Sequence, residues 1–167
     1  MAVANTKATI ITNADAFPRV MNPTTLFHGR MREQIGITEI LAADDNNSVY
    51  RCARLHSSWR ISEVEVLNDA ITCGADFDLG LYRTLADGGA AVDVDLFADA
   101  VVMATARAAW LDVLTELLNI DQREKRIWEM LALAGDPNIW YDLAWTGVAV
   151  GTAAGTLLTR TRYVDGS

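Results

Sequence analysis

Three stretches decide the fold class: Val49-Tyr50-Arg51-Cys52-Ala53-Arg54-Leu55, Arg60-Ile61-Ser62-Glu63-Val64-Glu65-Val66-Leu67 and Phe77-Asp78-Leu79-Gly80-Leu81-Tyr82-Arg83. In the first, Val49, Ala53 and Leu55 share a face, with Arg51 within it. In the second, Val64 and Val66 oppose Glu63 and Glu65, and in the third Phe77, Leu79 and Leu81 fall together. A period of two puts successive side chains on opposite faces, so each stretch reads as a half-buried antiparallel strand. Turn-forming clusters separate them: Asp44-Asp45-Asn46-Asn47-Ser48, His56-Ser57-Ser58, Cys73-Gly74 and Asp87-Gly88-Gly89.

The same pattern returns near the C-terminus. Tyr141, Leu143 and Trp145 share a strand face, Gly151-Thr152-Ala153-Ala154-Gly155 turns the chain, and Leu157 to Val164 reads as the return strand of a hairpin. One segment reads as helix, about 122–133. Asp121 and Glu124 suggest a capping box, Ile120, Ile127, Trp128 and Leu131 form a stripe, and Gly135 with Pro137 closes the element. Asp93 to Ala100 suggests a single helical turn, and Ala106 to Leu118 fits either periodicity. The sum predicts a mainly β chain: an antiparallel β-sandwich or jelly-roll-like domain with one or two short helices.

Residues 1–34 stand apart. Lys7-Ala8-Thr9-Ile10-Ile11-Thr12 suggests a short strand. From Asn13 to Gln34 no period is sustained, and two of the three prolines, Pro18 and Pro23, fall there. This reads as an extended N-terminal arm (1–34) before a single sandwich domain (35–167). A long unstructured stretch beside a domain this small points to a segment ordered by a partner.

Composition bounds the function. The chain has 167 residues and a formal charge of −8. An acidic chain, with a pI near 4.6, is a poor ligand for phosphate backbones, so nucleic acid is not expected as a partner. No stretch reaches the roughly 18 apolar residues of a membrane span. The N-terminus lacks a basic segment followed by an apolar run, so no secretory signal and no membrane partner are expected. Charge is uneven: the arm carries four basic and two acidic side chains, the remainder ten and twenty. Cys52 and Cys73 have no metal-type spacing and read as buried thiols, with a disulfide between them left open.

Catalytic patterns are largely missing. GxSxG, HExxH, Walker A and strand-linked GxGxxG motifs are absent, and His28 and His56 stand alone in loop contexts. Asp76/Asp78 and Asp93/Asp95 are the carboxylate pairs that acid–base chemistry would use. Solvated strand faces and helix caps account for both pairs. No catalytic residue, cofactor or metal is assigned. Of the five tryptophans, Trp128 and Trp145 sit on expected core faces, while Trp59 and Trp140 follow turns and suit contact surfaces.

A set of motifs in fixed order adds a resemblance. They are Ala53-Arg54-Leu55, Arg60-Ile61-Ser62, Val66 and Asp69-Ala70, then Ala75-Asp76-Phe77-Asp78-Leu79-Gly80-Leu81-Tyr82. Gly88-Gly89-Ala90-Ala91-Val92-Asp93-Val94-Asp95-Leu96-Phe97-Ala98 follows. Asn119-Ile120-Asp121, Arg123-Glu124, Trp128, Asp136-Pro137, Tyr141-Asp142 and the turn 151–156 complete the set. Together, over most of residues 49–164, they resemble the capsid decoration, or cement, proteins of tailed bacteriophages. The chain departs most from that pattern at Ala106–Leu118.

The resemblance implies a structural virion protein, not an enzyme. It would bind the outer surface of the capsid, after assembly in the host cytoplasm, and clamp neighbouring subunits. Its partners would be the phage major capsid protein and further copies of itself, as a dimer or trimer. On arm logic, Phe17, Pro18, Arg19, Leu26, Phe27 and Arg30 are the expected contact residues, with Trp59 and Trp140 added as exposed aromatic anchors. Other readings are a head-fibre base, a head–tail connector or a tail component. A reading from another class is a small ligand-binding or hydrolytic sandwich using the paired aspartates.

Overall fold

The alternating stretches become strands that wind into two layers. The computed structural model describes residues 6–71, 76–114, 118–149 and 153–165. It contains β1 (Arg30–Ile40), β2 (Val49–His56), β3 (Arg60–Asn68), β4 (Asp76–Arg83), β5 (Ala91–Val102), β6 (Leu111–Asp112), β7 (Trp140–Ala149) and β8 (Gly155–Asp165). One antiparallel sheet has the order β1-β8-β3-β6 and the other β2-β7-β4-β5. The pairs β1–β8, β2–β7, β3–β6 and β4–β5 are nested, as if one long ribbon were folded at β4–β5 and rolled up.

The core lies between the sheets. Phe77, Leu79 and Leu81 of β4 meet Tyr141, Leu143 and Trp145 of β7, as the period-two pattern requires. From the opposite sheet come Ile61, Val64 and Val66 of β3 and Leu157 and Tyr163 of β8. Trp145 is fully buried, and its indole N–H donates to Thr159 Oγ1 across the layers at 2.9 Å. That bond lets a threonine sit in an apolar interior without an unmet polar group. Cys52 is a buried free thiol, its ionisation pushed up to about 12 by burial. Cys73 lies outside the described residues.

Two glycines mark where backbones cross closely. A Cβ on Gly36 of β1 would run into the Cys52 carbonyl of β2, where the two sheets meet at one edge. Gln34 closes the same edge: its amide accepts from Arg54 N–H at 3.1 Å and donates to Arg54 O at 2.8 Å. At Gly80, a Cβ would strike the backbone at Asp93 and Val94. There β5 bulges over β4: Leu79 pairs with Ala98 but Leu81 with Asp93, so β5 carries the extra residues. The bulge turns Phe97 into the core, fully buried.

Several sequence expectations need correction. Asp93–Ala100 is the bulged part of β5, not a helical turn. Residues 7–12 do not form a strand: a helix, α1, runs Thr9–Asp15. The final two strands are not a hairpin, since β7 and β8 lie in opposite sheets and their link crosses the sandwich. The expected helix 122–133 is a 3-10 turn, Ile120–Gln122, then a single α-turn, α2, Ile127–Met130. At their N-termini Gln122 accepts from Asn119 N–H at 3.1 Å and Glu129 from Arg126 N–H at 2.7 Å, in place of the expected pair Asp121 and Glu124. β1 also begins before residue 35, so Arg30 to Gln34 belong to a strand.

Candidate functional site

The β2–β3 turn, His56 to Trp59, organises one end of the sandwich. Its buried Ser57 is held from several sides: its N–H donates to Ile139 O at 2.9 Å, and its hydroxyl bonds Asp136. Trp128 N–H donates to Ser57 O at 3.1 Å and Ile127 N–H to Trp59 O at 2.9 Å. Burial alone would raise the Asp136 carboxyl. The bonds from Ser57 Oγ and Asn138 N–H, with His56 and Arg126 nearby, outweigh it and hold the carboxyl low. The segment 126–139 is thus ordered by the turn it grips.

An aromatic cluster grows from that turn. Trp59 stacks on Tyr163 at 4.1 Å with planes 10° apart. Trp140 meets Trp59 edge-on at 5.2 Å, and His56 meets Trp140 at 4.9 Å. Trp59 is half-buried and Trp140 is 44% exposed. The two tryptophans expected at contacts therefore form one surface, with a rigid base and an open edge. His56 Nδ1 also lies 2.7 Å from Ser58 Oγ, and Ser58 N–H points to the same nitrogen, so the pair closes the turn.

The arm is rooted at the same end. Arg60 Nε donates to the carbonyl of buried Thr25 at 3.1 Å. Beyond that root the chain forms a hook. Asn22 Nδ2 donates to Ile10 O at 3.0 Å, and Asn13 Nδ2 to Asn22 Oδ1 at 2.8 Å, tying α1 to its return segment. Helix α1 buries no residue. A cleft of about 740 Å³ separates the root from the body, lined by Thr24, Leu26, Ser58, Glu124, Arg126 and Glu129. Within it, the hydrogen bond from Arg126 holds the Glu129 carboxyl below its ordinary range.

The arm residues expected at contacts divide into tip and root. Phe17 is fully exposed beside exposed Pro18 and Arg19 at the tip. Leu26 and Phe27 are half-buried at the root, and Arg30 is exposed at the start of β1 opposite Asp165. Sequence reasoning missed Val20 and Met21, 48% and 83% exposed, which extend the tip. A run of apolar residues around Pro18 was the available signal. Of the other tryptophans, Trp145 is core as expected. Trp128 is half-buried, with the Arg126 guanidinium 5.0 Å from its ring.

The aspartates lie elsewhere, on the β4–β5 bulge. Asp78 accepts from Ala100 N–H at 2.8 Å. Burial raises its carboxyl, and Asp99 and Asp95 add to the effect. Asp93 is raised by burial and by its hydrogen bond with Asp95. No cluster of three or more metal-ligating side chains occurs among the described residues. No helix there is long and apolar enough to cross a membrane.

No protein-family model and no curated protein sequence matches the chain. Solved structures do. A chain from the capsid of Ralstonia phage GP4 superposes with a TM-score of 0.60 at 13% identity, covering 83% of this chain and 86% of that one. That likeness is one of fold. A chain from the cyanophage Pam1 capsid asymmetric unit aligns over 98% and 99% of the two chains, with a TM-score of 0.48 and 16% identity.

Proposed function

We propose that this chain is a structural protein of a tailed-phage virion, a decoration protein that sits on the outer capsid surface and cements neighbouring major capsid subunits. The fold likeness to a chain of a phage capsid, across most of both chains, carries the reading. The nested strand pairing supports a jelly-roll description of the sandwich. The role is mechanical, without catalysis or cofactor. It takes place on the virion, with assembly in the host cytoplasm, and needs no nucleic acid or membrane partner.

The mechanism follows from the two-part build. A rigid sandwich presents an arm whose tip leaves Phe17 and Met21 bare and Val20 half-exposed, and at the arm's root end Trp59 and Trp140 offer an open aromatic edge. A seven-residue helix that buries no residue fully is marginal in water, so the arm gains most from a surface that covers it. On a symmetric shell, many modest contacts sum to strong retention. Such a clamp resists pressure from packaged DNA by adding contacts between subunits.

Co-sedimentation tests this. The full-length protein is mixed with expanded, undecorated capsids built from the major capsid protein of its own phage, and with procapsids. Saturable binding at hundreds of copies, preferring expanded shells, is the expected result. Substituting Phe17→Asp or Trp140→Ala should weaken it. Binding at about a dozen copies or fewer would indicate a connector or fibre base, whose number follows point-group symmetry. Binding to neither shell overturns the proposal.

A further inference from the structure

The outward face of the β1-β8-β3-β6 sheet is divided. Over β8 and β3 it is a charge ladder: Arg162 bridges Glu33 at 2.9 Å and Glu63 at 2.5 Å, and Arg160 pairs with Glu65. Trp110 covers Arg160, its ring 4.1 Å from the guanidinium. Over β1 the character changes. Met31, Ile35 and Ile37 point to the same side by strand alternation, with the ion-paired Glu33 between the first two, and are 63%, 58% and 66% exposed. The solvent face of an antiparallel sheet is ordinarily polar, so a row of large bare apolar side chains there marks a contact.

One chain thus carries two bare apolar surfaces, the arm tip and the β1 face, and does not bring them together. We propose that they form one contact between copies: the arm tip of one molecule lies across the outward face of β1 in the next. Charge favours a second copy as the occupant. Arg19 stands exposed at the tip, and Glu39 stands exposed at the end of the β1 row. Neither makes an ion pair among the described residues, Glu39 bonding only the Thr156 hydroxyl at 3.0 Å. Arg19 set beside Glu39 would add a polar pair at the rim of an apolar contact.

Each molecule supplies one tip and one face, so the valence matches. The two surfaces differ, which makes the contact head-to-tail: it closes into a ring or runs on as a chain. The inference concerns copies meeting one another and stands whether or not the chain binds a capsid.

The test is complementation in solution. Sedimentation velocity is run at up to about 100 µM, enough to fill a micromolar contact. It compares the full chain, Met21→Asp, Ile37→Asp and an equimolar mixture of the two variants. The wild type should sediment as an oligomer and each variant as an 18.2 kDa monomer. The mixture should recover dimers only, because one intact tip then meets one intact face. Both positions are exposed, so melting temperatures measured at dilutions where all are monomers should match the wild type; Glu39→Lys is the second face variant should Ile37→Asp unfold. A monomeric wild type, an oligomer indifferent to both substitutions, or a mixture without rescue each overturns the proposal. Capsid binding is measured separately, so either reading can fail alone.

Discussion

The body and the arm obey opposite rules. In the body every strand has a partner, and Phe77, Leu79, Leu81 and Trp145 are sealed completely. In the arm, α1 buries nothing, and Phe17 is as open as in an extended chain. The body is held by what it excludes from water. The arm is held by a handful of hydrogen bonds, each worth about 1 kcal/mol net. One region has closed a core, and the other leaves large apolar side chains open to solvent.

Substitutions can break this contrast. The largest effect should come from Gly80→Ala. The added methyl meets the β5 backbone at Asp93 and Val94, which cannot move aside without dislodging Phe97 from the core. A loss of about 3 kcal/mol is expected, at the upper end for overpacking, and read by urea denaturation. Unchanged stability would mean that the bulge is soft. Next is Trp145→Phe. It removes the donor to Thr159 Oγ1 and opens a void between the sheets. A loss of about 2–3 kcal/mol follows from the lost indole bond and the missing volume.

Legibility in the sequence follows the same line. β2, β3 and β4 were readable because each sets one face against the core, so burial imprints a period of two. Which sheet a strand joins leaves no such imprint. Hence β7 and β8, adjacent in sequence and well patterned, suggest a hairpin but part into different layers. The segment 120–133 misleads for another reason. Its apolar spacing suits a helix, yet Ile120 is 85% exposed, and backbone bonds to Ser57 and Trp59 hold the chain in short turns. In Thr9-Ile10-Ile11-Thr12, β-branched residues favour a strand, but Asn22 binds the Ile10 carbonyl and closes a helix instead. At the candidate site, the exposed tip and the pair Trp59–Trp140 were readable as apolar residues near turns. The β1 row was hidden because its alternation, Met31 to Glu39, straddles the point where the arm was expected to end.

A smaller effect, and of opposite sign, is expected at Asp93. Burial, then the bond with Asp95, raises its carboxyl in the folded chain above the unfolded value. A raised carboxyl contributes its stability only below the unfolded value, about 3.9, and loses it as pH climbs through the folded one. At neutral pH the charged Asp93 is therefore a cost. Asp93→Asn should raise the melting temperature at pH 7 by about 1–3 °C, and the gain should vanish near pH 3.5. A variant less stable at pH 7 would show that the bulge needs the carboxylate charge.

The smallest effect should be at the arm tip. Phe17→Ala removes a large side chain, and from a buried position that costs about 3–5 kcal/mol. At a fully exposed position no packed volume is lost, so at dilutions where the protein is monomeric the melting temperature should stay within about 1 °C of the wild type. The same substitution should weaken whatever contact covers the tip, whether capsid or second copy. A fall of several degrees in the dilute monomer would mean that Phe17 packs on its own body in solution. The arm would then be part of the fold, and the division between a finished sandwich and an unpartnered hook would not hold.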